Sequence, residues 1–167
     1  QQVIVEQYAQ GTKFSLWFAC LAAGIAVAMI LNGKYVKKIG LQRMSHWATV
    51  GFMVNWIGVL IACLLTQGQP PFLVLMVFFF ISFFFSGMTF GNYQAMALEP
   101  MGHIAGMAAA VSGAMSSLMA IALGGTAARL YDGSVTPIAV SFVVFAILAL
   151  LMTIWAERNR LVKKTTL

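Results

Sequence analysis

The sequence predicts an all-α, polytopic membrane helix bundle with five transmembrane helices, and three observations carry that expectation. Of 167 residues, 61% are hydrophobic and only 8% are charged, against roughly 45–50% and about 25% in a soluble domain. So little charge cannot solvate a globular surface, which excludes a soluble enzyme, a nucleic-acid binder and a disordered chain. The few charges also cluster, leaving uncharged stretches long enough to cross a bilayer core, which takes about 20 helical residues. Finally, the apolar runs do not alternate. Phe78-Phe79-Phe80-Ile81-Ser82-Phe83-Phe84-Phe85 lacks the in-out period of a transmembrane barrel, and an open sheet would leave backbone groups unpaired in lipid.

The elements follow in order. Residues 1–13 read as an external N-terminal segment without the basic stretch and short apolar core of a signal peptide. Beginning at Gln1, the chain reads as a piece of a longer one or as processed upstream. The uncharged stretch 14–33 holds the first span, about 14–32. Residues 44–98 are uncharged over 55 positions, ~80 Å of helix, and must fold back. The turn is Gln67-Gly68-Gln69-Pro70-Pro71, giving spans at about 46–66 and 71–92. A fourth span, about 104–128, starts after Pro100 and Gly102. A fifth, about 135–156, follows the turn Tyr131-Asp132-Gly133-Ser134. The transmembrane domain is then 14–157, and residues 158–167 form a basic cytoplasmic tail.

Net charge +6 sets the orientation. With the N-terminus outside, Lys34, Lys37, Lys38, Arg43, Arg158, Arg160, Lys163 and Lys164 are cytoplasmic, against Lys13 and Arg129 outside, as the positive-inside rule requires. Trp17, Trp47 and Trp155 fall near span ends, like an interfacial belt. Trp56 is mid-span and reads as packing. Cys20 and Cys63 sit in apolar runs and read as small buried hydrophobes. No metal spacing, cofactor motif or nucleophile–base pair occurs. His46 and His103 read as interfacial residues.

No Asp, Glu, Lys or Arg lies inside a span core, so any proton-coupling carboxylate belongs to another segment or chain. The uncharged polar residues are patterned instead. Ser82, Ser86, Thr89 and Tyr93 recur at 4-3-4 spacing on one helix face, with Asn92 beside them. That face suits either a cavity wall or interhelical hydrogen bonds. Ser112 and Ser116 are further cavity candidates. In the fourth span Gly106, Ala110, Gly113, Ser117, Ala120, Gly124 and Ala128 form a stripe of small residues, and the first span repeats it with Ala19, Ala22, Ala23 and Ala26. Such stripes let helices approach closely, within this bundle or with helices outside it. The second and fifth spans read as bulky, lipid-facing supports, apart from Asn55, which suits an interhelical hydrogen bond.

The first basic loop, Asn32-Gly33-Lys34-Tyr35-Val36-Lys37-Lys38-Ile39-Gly40-Leu41-Gln42-Arg43, resembles the signature loop of the major facilitator superfamily, Gly-x3-Asp-Arg/Lys-x-Gly-Arg/Lys-Arg/Lys. Gly33, Lys38 and Gly40 match. Lys37 takes the acidic position, while Leu41 and Gln42 replace the final basic pair. Asn32-Gly33, Gly40 and Arg43 look most like the copy between spans eight and nine in the drug:proton antiporter branch of bicyclomycin/chloramphenicol-resistance type. Gly91-Asn92-Tyr93-Gln94-Ala95-Met96-Ala97-Leu98 and Ala105-Gly106-Met107-Ala108-Ala109-Ala110 with Gly113 also resemble that branch.

The resemblance implies a partial major facilitator fold, spans eight to twelve, with spans one to seven absent. It implies alternating access and proton-coupled export of drugs or small metabolites from a bacterial inner membrane. Protons would be handled by the missing N-terminal half. The small-residue faces would meet that half, and the 82–93 face would line the substrate cavity. Asn32, Gly33, Lys37, Lys38, Gly40 and Arg43 would be gating or topology residues. With Lys37 at the acidic position, the charge-pair latch of the family's intact loop cannot form here. The competing reading is a non-transporting helical module that docks another membrane protein.

Overall fold

The computed structural model describes the backbone of residues 2–165 and the side chains of residues 2–156. The chain is a multi-pass membrane helix bundle, with α1 at Phe14–Ile39, α2 at Leu41–Leu65, α3 at Phe72–Leu98, α4 at Ala105–Arg129 and α5 at Thr136–Thr165. No strand occurs among the described residues. The expected basic tail after residue 157 has its side chains outside the described residues.

Among the described residues four helical segments, not five, are long and apolar enough to cross a membrane: Gly11–Ile39, Leu41–Leu65, Phe72–Arg129 and Thr136–Ala156. The expected third and fourth spans merge because a 3-10 stretch, Glu99–Ile104, joins α3 to α4. The 58-residue segment is not straight. Met101 leaves helical geometry at φ −113°, ψ 26°, and Gln94 Nε2 donates to Ser112 Oγ at 2.8 Å. Residues 18 apart on a straight helix lie ~27 Å apart, so the chain reverses between them.

The first basic loop also differs from expectation. Residues 33–39 continue α1, because nothing in Lys34-Tyr35-Val36-Lys37-Lys38 breaks a helix. The break is one residue, Gly40, at φ +90°, a conformation that L side chains avoid. α2 starts at once. Lys37 and Lys38 therefore lie in the last turn of α1, where cations complement the helix dipole.

α3 is the centre of the bundle. α1 runs parallel to it, since Trp17 meets Phe72 (ring centroids 5.0 Å), Gly24 meets Phe80 and Asn32 meets Asn92. The approach is close enough that a Cβ at Gly24 would sit 2.8 Å from the Phe80 carbonyl oxygen. The buried face of α1 is thus Leu21, Gly24 and Ala28, whereas Ala19 and Ala23 point away and are exposed. α2 runs antiparallel to α3 and α5. It is not the lipid-facing support its apolar sequence suggested: Trp56, Val59 and Cys63 are buried with Leu75 of α3 and with Val135 and Ala139. Trp56 stacks on Phe142, with centroids 4.2 Å apart and 9° between planes. α5 buries one face and exposes Val140, Val144, Ile147, Leu148 and Leu151.

Residues 2–13 are not a free extension. Val3 and Ile4, in a π-helical turn at Val3–Gln7, are buried in two core clusters. The Gly68 carbonyl accepts from Gln7 Nε2 at 3.1 Å and from the Val135 N–H at 3.1 Å, and the Tyr8 hydroxyl donates to the Pro70 carbonyl. The segment thereby ties the α2–α3 turn to the start of α5. Beside it, the exposed Asp132 accepts from the Ser134 N–H and hydroxyl at 2.9 and 2.7 Å, bonds that hold its carboxyl below its ordinary pKa.

Because the α1–α3 contact at Gly24 has no room for a side chain, Gly24→Leu is expected to destabilise the purified protein by roughly 1–3 kcal/mol. Ala23→Leu, one residue away on the exposed face, is expected to change it by about 0.5 kcal/mol or less. Thermal unfolding in detergent checks both.

Candidate functional site

The polar residues of α3 divide between two tasks. Ser82 and Asn92 are braces. Asn55 of α2 reaches across with its amide, donating to Ser82 Oγ at 2.7 Å and to the Phe78 carbonyl at 3.0 Å. Ser82 in turn donates to Phe78 O at 3.0 Å. Asn92 is 1% exposed and forms a reciprocal amide pair with Asn32 of α1: each Nδ2 donates to the other's Oδ1, at 2.7 and 2.9 Å. Buried amides satisfied this way join helices in a medium that offers no other partner. Asn32, expected in the gating loop, is therefore a helical residue that clamps α1 to α3. Ser82 and Asn92, expected on the cavity wall, face neighbouring helices.

Ser86, Thr89 and Tyr93 do share a cavity, and Ser112 and Ser116 of α4 join them. The cleft, about 550 Å³, lies between α2, α3, α4 and α5. Its other walls are Thr49, Phe52, Phe90, Gln94, Ala97, Phe142, Phe145, Ala146 and Ala149. No lining residue is charged. Four phenylalanines supply apolar and π surface, while five hydroxyls on Thr49, Ser86, Thr89, Ser112 and Ser116, the Tyr93 phenol and the Gln94 amide supply donors and acceptors. Gln94 crosses to Ser112 and holds α3 to α4 at one end of the cleft. Thr89 donates to the Phe85 carbonyl at 2.7 Å, leaving its oxygen as an acceptor.

A second cavity, about 370 Å³, lies toward the end of the bundle marked by Gly40. Its walls are Gln42, Tyr93, Met96, Ala97, Ala149, Met152, Thr153 and Ala156. Tyr93 stands between the two. Its hydroxyl is 3.1 Å from Thr49 Oγ1 of α2 and 3.0 Å from Thr153 Oγ1 of α5. Each threonine also lies 2.8 Å from a carbonyl one turn back, Ser45 O and Ala149 O. Three hydroxyl protons thus serve four contacts, and one contact always lacks a proton. A third cavity, about 220 Å³, lies under Val3 and Ile4. Its wall is apolar apart from the Trp56 indole and Ser82, whose hydroxyl is already engaged.

Gly33, Lys37, Lys38, Gly40 and Arg43 are exposed at the α1–α2 junction. Gly106, Gly113 and Gly124 have open space where a Cβ would be. Ser117 is exposed and donates to the Gly113 carbonyl at 2.9 Å. Only Ala108 and Ala127 of α4 are buried, so the small-residue stripe meets no helix of the described residues. Cys20 is exposed, unlike the buried hydrophobe expected, and Cys63 is buried; both are free thiols. Sequence reasoning missed Thr49, Phe52, Gln94, Phe142 and Phe145 as cavity walls. Only the three-dimensional stacking of α2 and α5 on α3 reveals them.

Asn55→Leu takes the amide donor from the buried Ser82 oxygen and one of two side-chain donors from the Phe78 carbonyl, and is expected to cost about 1–3 kcal/mol. Ser86→Leu fills the cleft and is expected to leave stability within roughly 0.5 kcal/mol. Parallel denaturation curves in detergent check the contrast. Compared with family models, curated proteins and solved structures, the chain matches none.

Proposed function

We propose that this chain is the C-terminal part of a secondary active transporter that works by alternating access and exports drugs or small metabolites in exchange for protons. The observation that carries the reading is the cleft between α2, α3, α4 and α5, large enough for a small molecule and walled by aromatics and hydroxyls without one charge. Desolvating an ionic ligand there would go uncompensated, so the cleft favours uncharged, amphipathic molecules with a few hydrogen-bonding groups. The rings offer dispersion and stacking, and the hydroxyls orient. On this reading the proton-binding carboxylate belongs to the other half of the transporter.

The open faces of α4 and α1 support the arrangement. Gly106, Gly113 and Gly124 present backbone without neighbours, the surface that a second helical half would need for close approach. In a rocking mechanism the site lies where the halves meet, and the cleft adjoins α4. The cell membrane is the proposed location, with Lys34, Lys37, Lys38 and Arg43 on the cytoplasmic side by the positive-inside rule. The N-terminal end is then outside. The open α4 stripe equally suits a helical module that docks another membrane protein without transporting.

One experiment separates the two. In the full-length protein, Ser86→Leu and Thr89→Leu are expected to lower export by roughly tenfold with membrane assembly intact, while Gly113→Leu impairs assembly itself. Under the docking reading, the two cleft substitutions are silent and only Gly113→Leu acts. Efflux from cells or vesicles, with co-purification of the assembled protein, reads both.

A further inference from the structure

We propose that Tyr93 is the gate between the central cleft and the cavity at the Gly40 end, held shut by its hydroxyl bridge to Thr49 and Thr153. The proposal rests on the transport reading for its purpose, but its geometry stands alone. The two cavities have only Tyr93, Ala97 and Ala149 in common. Of these, only Tyr93 carries a side chain long enough to divide them. Its ring comes from α3, while its hydroxyl reaches α2 through Thr49 and α5 through Thr153, so one side chain spans the gap between three helices. The cavity beyond it is bounded by Gln42, Met96 and Met152, at the end of the bundle that carries Lys37, Lys38 and Arg43. The ring stands between the cleft and that end of the bundle.

The latch is soft by construction. Both threonines can turn their protons to carbonyls of their own helices, so the phenol donates to one of them at a time and the second contact is without a proton. Each threonine keeps its backbone bond when the ring swings away. Opening therefore strands no threonine donor, and it needs the loss of one hydrogen bond from the phenol. A wetted cavity replaces that bond with water. A tyrosine fixed by two charge-assisted bonds would be a strut. This one can move.

Accessibility tests the gate without reference to transport. In the full-length protein with exposed Cys20 changed to Ser and buried Cys63 retained, Ser86→Cys reports the cleft and Met96→Cys reports the outer cavity. A membrane-impermeant maleimide is applied to vesicles on the side from which Met96→Cys is labelled. Tyr93→Phe, which keeps the ring and removes the latch, is expected to speed labelling at Ser86→Cys by roughly fivefold, the shift that one ordinary hydrogen bond gives. Tyr93→Ala is expected to speed it further. Thr49→Val combined with Thr153→Val, which leaves the tyrosine untouched and removes both of its partners, moves it the same way, and labelling at Met96→Cys stays constant throughout.

Flat labelling at Ser86→Cys across the three variants overturns the gate, as does labelling that rises in parallel at both reporters or a Met96→Cys reporter that reacts from neither side. Export measured on the parent protein keeps the two ideas apart. Export with flat labelling defeats the gate alone, whereas the expected labelling in a protein that exports nothing defeats the transport reading alone.

Discussion

The structure depends on amide side chains placed where one helix must hold another without help from water. In a bilayer the hydrophobic effect does not drive helices together, because lipid is as apolar as leucine. Association then rests on close packing and on polar groups that have nowhere else to bond. The Asn32–Asn92 pair joins α1 to α3, and Asn55 joins α2 to α3 through Ser82 and the Phe78 carbonyl. Gly24 supplies the close approach that brings α1 into range. With those links made, α3 becomes a fixed spine. The helices on either side are located relative to it, and the remaining face of α3 is free to line a cleft.

That division explains why one helix can be both scaffold and site. Ser82 and Asn92 are turned to neighbours and satisfied. Ser86, Thr89 and Tyr93 are turned to the cleft. α4 closes the cleft with the Gln94–Ser112 bond at one end and otherwise stays apart from the bundle, its small residues facing outward. The N-terminal turn, tied to Gly68 and Pro70, fastens the opposite end, where the α2–α3 turn and the start of α5 meet. One end of the bundle is pinned by backbone carbonyls, and toward the other a tyrosine with an incomplete set of protons bridges α2, α3 and α5.

Much of this architecture was readable in the sequence, for physical reasons. Charge is too costly in a bilayer to be scattered, so the gaps between charges marked the helices, and Pro70, Pro71 and Gly133 marked turns. The basic segment after Asn32 has the charge of a cytoplasmic loop, yet it is helical. Nothing from Lys34 to Ile39 breaks a helix, and a single Gly40 suffices for the break. The 99–104 segment reads as a boundary because Pro100 and Gly102 stand there; helical turns bridge it, and the chain reverses direction within one continuous helical segment. The 4-3-4 polar pattern on α3 identified the right residues but could not sort them. Whether a serine braces or lines a cavity is decided by what stands opposite it on another helix, as Asn55 does for Ser82. For the same reason the sequence of α2, apolar apart from a few residues such as Asn55, does not distinguish it from a lipid-facing helix; the stack of Trp56 on Phe142 does.

The central claim is that buried amide bonds on α3, rather than turns or apolar burial alone, set the positions of its neighbours. A double-mutant cycle on Asn32→Ala and Asn92→Ala, read by unfolding in detergent, tests it most directly. The account predicts a favourable coupling of about 0.6–1.7 kcal/mol, the range found for interhelical hydrogen bonds in membranes, with the double variant less destabilised than the sum of the singles. Additive losses, or two substitutions without effect, would contradict it.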